Sequence, residues 1–94
     1  MERRGKAVAT VPVGDRPEAI AVDSVNNLIY VANTHSSSVT VIDGANNHVL
    51  ATLAAGKNPY ALAVNAGAGK LHVANLDERS FTVIDVKDVR RQVR

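Results

Sequence analysis

The sequence repeats itself after 42 residues, and this internal repeat restricts the possible folds more than any other feature. Residues 7–46 align with residues 49–88 without a gap, and fifteen of the forty aligned pairs are identical. The identical pairs include Gly14/Gly56, Pro17/Pro59, Asn33/Asn75 and Asp43/Asp85. Chance similarity between two apolar stretches would not keep glycine, proline and asparagine in register, so the chain contains two copies of one structural unit.

Each unit contains short runs of strand-forming residues separated by turn-forming residues. We predict strands at 18–23, 28–33, 38–43 and 48–53 in the first unit, and at 60–65, 70–75 and 80–85 in the second. One further run, at 6–11, precedes the first unit. The turns fall at Asn26-Asn27, Asp43-Gly44 and Gly67-Ala68-Gly69, since Asn and Gly tolerate positive φ angles. Evenly spaced strands with such turns predict an antiparallel all-β fold.

The predicted strands are apolar on both faces. Residues 19–22 read Ala-Ile-Ala-Val, and residues 61–64 read Ala-Leu-Ala-Val. A sheet with one face in water would instead alternate apolar and polar residues. The sheets must therefore pack on both sides, and the alanines, which share one face, mark where two sheets approach closely. Four strands in a period of 42 residues are typical of one blade of a β-propeller.

The repeated segments resemble a known family. Ile29-Tyr30-Val31-Ala32-Asn33, Val39-Thr40-Val41-Ile42-Asp43 and Val13-Gly14-x-x-Pro17 are similar to the YVTN repeat of bacterial and archaeal β-propellers. In the second copy, His72 stands where the repeat has tyrosine. The resemblance covers about residues 7–88 and implies two propeller blades. The family includes surface-layer, periplasmic and lactonase-like proteins.

The predicted strand order makes the chain one domain of two blades, of which the first has four strands and the second has three. Residues 1–94 form a single domain, with repeat units at about 7–48 and 49–88 and a basic C-terminal tail at 89–94. If the innermost strand of a blade is a and the outermost is d, the order is d, abcd, abc. The fold class is therefore all-β, with two four-stranded antiparallel blades of which the second needs an outer strand.

Two blades are too few for a ring, since propellers close with roughly four to eight. Head-to-tail contacts that close a rotation give rings, so we predict a cyclic homo-oligomer, with a trimer of six blades favoured over a tetramer of eight. The strand at 6–11 of one copy would complete the second blade of its neighbour and cover an exposed edge. The alternative is that residues 89–94 form the missing outer strand.

Composition excludes several other classes of protein. The chain has no cysteine, which excludes disulfides and thiolate chemistry. The net charge is only +2 and lies mostly at the two ends, without the aromatic pattern of a nucleic-acid site, so we expect no nucleic-acid partner. No apolar run approaches the roughly 20 residues of a membrane span, so we expect no membrane partner. As written the chain is expected to be cytoplasmic, although related proteins are often periplasmic or at the cell surface.

Ligands of propellers usually meet the loops around one mouth of the central channel. The polar loop residues that break the repeat are the candidates for ligand binding: Arg16, His35, Asn58, Asp77, Glu78 and Arg79. Residues that repeat are expected to serve the blade, with Asn33, Asn75, Asp43 and Asp85 capping turns. The three histidines lack the spacing of a metal pair and no GxSxG motif is present, so we predict no catalytic residue, no metal and no cofactor.

Three functions remain open from the sequence. The first is a non-catalytic repeat module that presents loops for binding and assembles through its ends. The second is a lactonase-like hydrolase that is complete only in the oligomeric ring, which the family resemblance suggests. The third is a fragment of a longer propeller without a function of its own.

Overall fold

The computed structural model describes residues 5–89 as two antiparallel β-sheets. The first sheet contains β1 (Pro17–Asp23), β2 (Leu28–Asn33), β3 (Ser38–Asp43) and β4 (Val49–Ala54), in that order. The second contains β5 (Pro59–Asn65), β6 (Lys70–Asn75) and β7 (Ser80–Asp85), also in chain order. All seven strands were predicted to within one residue at either end. The all-β class and the antiparallel pairing are therefore confirmed.

The prediction of an eighth strand at 6–11 is wrong for the single chain. These residues belong to no strand, and Val8 is 92% exposed. A strand needs a hydrogen-bonded neighbour, and no described strand lies beside this segment. The second sheet therefore has three strands among residues 5–89. The alternative outer strand at 89–94 lies, apart from Val89, outside the described residues.

The hairpin turns form where the sequence predicts them. Asn27 and Gly69, which occupy equivalent positions in the two units, have φ angles of 55° and +66°. The predicted caps at Asp43 and Asp85 are confirmed, because their side chains accept hydrogen bonds from Ala45 N at 2.8 Å and Lys87 N at 3.0 Å. Local turn chemistry thus fixes where the hairpins reverse.

Each sheet has two chemically different apolar faces, which strand register defines. The alanine face carries Ala19, Ala21, Tyr30, Val39 and Val41 in the first sheet, and Ala61, Ala63, His72, Phe81 and Val83 in the second. The branched face carries Ile20, Val22, Ile29, Val31 and Ile42 in the first sheet, and Leu62, Val64, Leu71, Val73 and Ile84 in the second.

The core forms where the alanine face of the first sheet meets the branched face of the second. Tyr30, Val39 and Val41 are fully buried from one side, and Leu71 and Val73 from the other. Strand β5 packs against β1 and β2, where small alanine side chains let the backbones approach. The sheets therefore stack through unlike faces.

A buried asparagine in each unit joins neighbouring strands. Asn33 Nδ2 donates to Thr40 Oγ1 at 2.8 Å and to Ser38 Oγ at 3.2 Å, while its Oδ1 accepts from Gly14 N at 3.1 Å. In the second unit, Asn75 Nδ2 donates to Thr82 Oγ1 at 2.8 Å.

The predicted role of Asn33 and Asn75 as local turn caps is therefore wrong. Both side chains are buried and donate hydrogen bonds to the neighbouring strand. Asn33 ends β2, which pairs with β3, and Asn75 ends β6, which pairs with β7. In the first unit, Gly14, Asn33 and Thr40 thus form one contact that holds the link before the sheet in place. The second unit keeps the bond from Asn75 to Thr82, but the Oδ1 atom of Asn75 has no hydrogen-bond partner among the described residues.

Gly14→Ala should destabilise the fold, because the new Cβ would lie 2.6 Å from Asn33 Cγ and 2.6 Å from Ser36 Oγ. Asn33 is fixed by its hydrogen bonds and cannot move aside, so we expect a loss of roughly 1–3 kcal/mol in urea unfolding. Gly67→Ala is the matched control, since the nearest atom to its Cβ is 3.7 Å away. Equal unfolding midpoints for the two variants would contradict this account.

Candidate functional site

The candidate loop residues all lie at one end of the two sheets, which we call the loop end. Strands β1 and β5 begin there and β2 and β6 finish there, with Pro17 opposite Asn33 and Pro59 opposite Asn75. Thr34 Oγ1 donates to the carbonyl oxygen of Pro59 at 2.8 Å. This buried hydrogen bond ties the loop of the first sheet to the start of the second.

The loop end of the first sheet is braced by backbone hydrogen bonds. Thr34 N donates to Arg16 O at 2.9 Å and His35 N donates to Asp15 O at 3.2 Å. Asp15 N in turn donates to Ser36 Oγ at 3.2 Å. Arg16 has a left-handed φ of 55°, which is uncommon for a residue with a Cβ. The positions of Arg16 and His35 are therefore coupled through the backbone.

The loop end of the second sheet repeats this bracing with different side chains. Leu76 N donates to Asn58 O at 2.9 Å, and Asn58 has a φ of 52°. Lys57 N donates to Glu78 Oε1 at 3.3 Å, so Glu78 takes the part that Ser36 plays in the first unit. Asn58 Nδ2 also donates to Asp77 Oδ2.

The six candidates thus divide into two groups. Asn58, Asp77 and Glu78 hold their own loop together, and Arg16 donates from Nε to Glu18 in an exposed ion pair. His35 and Arg79 are exposed, and within residues 5–89 no hydrogen bond or ion pair engages their side chains. The loop end thus presents exposed polar side chains beside the exposed Leu76 and Tyr60. Across the described chain, no group of three His, Cys, Asp or Glu residues is placed to hold a metal ion.

Thr34 and Ser36 were not identified from the sequence as functional residues of the loop end. Thr34 bonds to the Pro59 carbonyl oxygen, and Ser36 accepts a hydrogen bond from Asp15 N. Both residues break the repeat, since the second unit has Leu76 and Glu78 at their positions. A comparison of the two loops position by position would have indicated that a serine hydroxyl and a glutamate carboxylate serve the same backbone amide.

A groove of about 170 Å³ opens between the sheets at the opposite end, which we call the turn end. Its polar lining comes from Asp23, Asn26 and Lys87. The Asp23 carboxylate is occupied by its own turn, since it accepts hydrogen bonds from Val25 N and Asn26 N at 3.0 Å each and from Asn26 Nδ2 at 2.8 Å. Burial acts to raise the pKa of Asp23, but these three hydrogen bonds outweigh burial and lower it. The pKa of Asp85 is also lowered, by hydrogen bonds from Lys87 N and from the Lys70 side chain.

The two sheet faces outside the core carry several exposed apolar side chains. On the branched face of the first sheet, Ile20 and Val22 are 67% and 60% exposed. On the alanine face of the second sheet, Phe81 is 64% exposed and stacks at a tilt on His72, with ring centroids 6.0 Å apart. An apolar groove of about 340 Å³ runs over this face, lined by Ala61, Leu62, Ala63, His72, Ala74 and Phe81.

The comparisons with known proteins bear on the fold. No family model and no curated protein matches the sequence. Among solved structures, a chain of the hydrazine synthase of Kuenenia stuttgartiensis is similar, with a TM-score of 0.75 and 24% sequence identity over 90% of the present chain. The present chain spans 25% of the length of that chain. At this identity the likeness shows a shared fold and carries no activity across.

Residues 5–89 include no helix that is long and apolar enough to cross a membrane.

Acidification should expose the contribution of Asp23 to stability. Its pKa is lower in the folded state than the roughly 3.9 of an unfolded aspartate, so the folded state gains stability above that value and loses it as the pH falls through the folded-state pKa. Asp23→Asn removes the titration and keeps the turn acceptor, as Asn65 does at the equivalent position by accepting from Ala68 N. Urea unfolding across roughly pH 2–6 should show a flatter pH dependence for Asp23→Asn than for the parent chain.

Asp88→Asn serves as the control, because Asp88 is exposed beyond β7. Equal slopes for the parent and Asp23→Asn would show that the turn carboxylate does not govern acid stability.

Proposed function

We propose that this chain is a non-catalytic repeat module of the YVTN propeller type, whose two sheets are two blades of a ring built from several copies. The single observation that carries the proposal is the stacking of unlike faces within the chain. The interface inside the chain joins an alanine face to a branched face. It leaves the branched face of the first sheet exposed at Ile20 and Val22, although Val31 and Ile42 on that face are buried, and it leaves the alanine face of the second sheet exposed at Phe81. The two outer faces are again one branched face and one alanine face, so they have the same chemistry as the two faces that the internal interface joins.

A second copy of this chain is therefore the occupant that best fits both uncovered faces. Inside the chain, Leu62 and Val64 of β5 pack toward β1 and β2 of the first sheet. Ile20 and Val22 occupy the equivalent positions on β1. In the proposed assembly they sit in the apolar groove over Ala61, Ala63 and His72 of the next copy, as their equivalents sit over Ala19, Ala21 and Tyr30.

Such head-to-tail contacts generate a ring when their rotation closes. Three copies provide six blades and four provide eight, both within the range of known propellers. We favour the trimer. The loop ends of all copies then surround one mouth of the ring, where Arg16, His35, Asn58, Asp77, Glu78 and Arg79 form a polar surface for binding.

Ile20→Glu should dissociate the assembly into single chains of 9.9 kDa, because it places an unpaired carboxylate in the apolar groove of the neighbour. Light scattering after gel filtration should give about three times 9.9 kDa for the parent chain and 9.9 kDa for the variant. Val25→Glu is the matched control, since Val25 is 79% exposed in the β1–β2 turn and lies on neither face. A folded parent chain that runs as a monomer would refute the ring.

His72→Tyr should strengthen the contact between copies, because the equivalent Tyr30 is fully buried in the interface inside the chain. A tyrosine adds apolar and aromatic contact of about 1 kcal/mol per interface, which corresponds to a dissociation constant roughly fivefold lower. Sedimentation velocity over a dilution series measures the midpoint of dissociation. His48→Tyr, which places the same residue on an exposed position between β3 and β4, should leave the midpoint unchanged.

A further inference from the structure

Strand β7 has an unpaired outer edge among the residues that the structure describes. In the first sheet the corresponding strand, β3, is covered by β4 with a defined register, including Val41 opposite Ala51 and Val39 opposite Leu53. The second sheet ends at β7. An uncovered strand edge presents a row of backbone donors and acceptors to any extended segment that reaches it.

Residues 6–12 are the segment of this chain that matches β4. The two segments align at the repeat distance, with Ala9 and Thr10 equivalent to Ala51 and Thr52. Residues 6–10 are all exposed and belong to no strand. The chain therefore carries a spare copy of the outer-strand sequence without a sheet to join.

The links that follow these two segments share two backbone features. Arg16 and Asn58 have φ angles of 55° and 52°, and the carbonyl oxygen of each accepts a 2.9 Å hydrogen bond from the first residue after β2 or β6. Four residues, 55–58, separate β4 from β5, and the equivalent four are 13–16. We therefore expect residues 6–12 to have the same position relative to β1 as β4 has relative to β5.

This equivalence determines on which side of the first sheet the segment can pair. The chain upstream of β5 belongs to the sheet that covers the branched face of β5. By the same link, the chain upstream of β1 belongs to a sheet that covers the branched face of β1. The chain's own β7 lies on the opposite side, because the second sheet covers the alanine face of the first. Pairing of residues 6–12 with β7 of the same chain is excluded by this geometry.

We propose that residues 6–12 form the fourth strand of the second sheet of a neighbouring copy, antiparallel to its β7. This inference rests on the proposed function, since the neighbour must first cover the branched face of β1. The register follows from β3 and β4 by the repeat distance of 42 residues: Ala9 lies opposite Val83, and Val11 lies opposite Phe81. The donated strand joins two copies by backbone hydrogen bonds in addition to the stacked faces.

Engineered cysteines test the register directly, because the chain has no cysteine of its own. In Ala9→Cys with Val83→Cys, the two side chains are opposite each other and on the same face, which suits a disulfide. Mild oxidation of the full chain should convert most of the monomer band on a non-reducing gel into covalent dimers and trimers. The matched control, Thr10→Cys with Val83→Cys, is displaced by one residue and turns the new thiol to the other face, so it should form far less cross-linked product.

The possible outcomes separate this proposal from the ring itself. Cross-linking between chains by the first pair only, in a protein of multimeric mass, supports the donated strand. A multimeric protein in which both pairs cross-link equally poorly would show that the ring forms without strand donation. A disulfide formed within one chain would overturn donation between copies. A protein of monomeric mass would overturn the ring, and the donated strand with it.

The pair Val83→Cys with Val93→Cys tests the alternative that residues 89–94 of the same chain pair with the outer edge of β7. Val93 is equivalent to Ala51 by the repeat. Efficient closure of this pair within one chain would show that the chain's own C-terminal residues cover β7, and would overturn the donated strand. Failure of this pair together with success of the Ala9 pair supports it.

Discussion

The packing of an alanine face against a branched face is the interaction on which the rest of the structure depends. Alanines at positions 19 and 21 leave room, and the larger Leu62 and Val64 side chains of the opposing sheet fill it. Interiors pack as densely as organic crystals, so two branched faces would stand too far apart for the short loop-end link and two alanine faces would leave voids. The complementarity makes the stack directional. The two outer faces of the stack therefore differ in chemistry: the first sheet presents its branched face, and the second sheet presents its alanine face.

The repeat is kept at the positions that hold the link before a sheet and is lost in the loops beyond them. Gly14, Asn33 and Thr40 form one contact that holds the link before β1, and each has an identical equivalent in the second unit, where the bond from Asn75 to Thr82 is kept. The loops that lie beyond this contact differ. Ser36 and Glu78 both accept a hydrogen bond from a link amide, which shows that the bracing needs an acceptor there and not a particular residue.

The positions and pairing of the strands could be predicted from sequence, because turn chemistry and apolar runs are local signals. Asn27 and Gly69 fix hairpins by their tolerance of positive φ, and the alternation along 19–22 gives two apolar faces. The buried role of Asn33 could not be predicted this way, since its partner Gly14 is 19 residues away and asparagine at a strand end is equally typical of a turn. The run at 6–11 was predicted to be a strand from composition alone, whereas a strand also needs a neighbour. The sequence predicts that all six candidate loop residues lie at one end of the fold, whereas the bonds of Asn58, Asp77 and Glu78 within their own loop end are visible only in the structure.

The two units share a backbone but differ in the side chains that they present at the loop end, and this difference has a consequence for any ring of copies. The first unit presents the ion pair of Arg16 with Glu18 beside His35, and the second presents Asp77, Glu78 and Arg79. Each unit thus carries both signs of charge, but in a different arrangement. Around the mouth of the proposed ring the two arrangements would alternate from one blade to the next. A ligand that spans two neighbouring blades would then meet the same surface once in every copy.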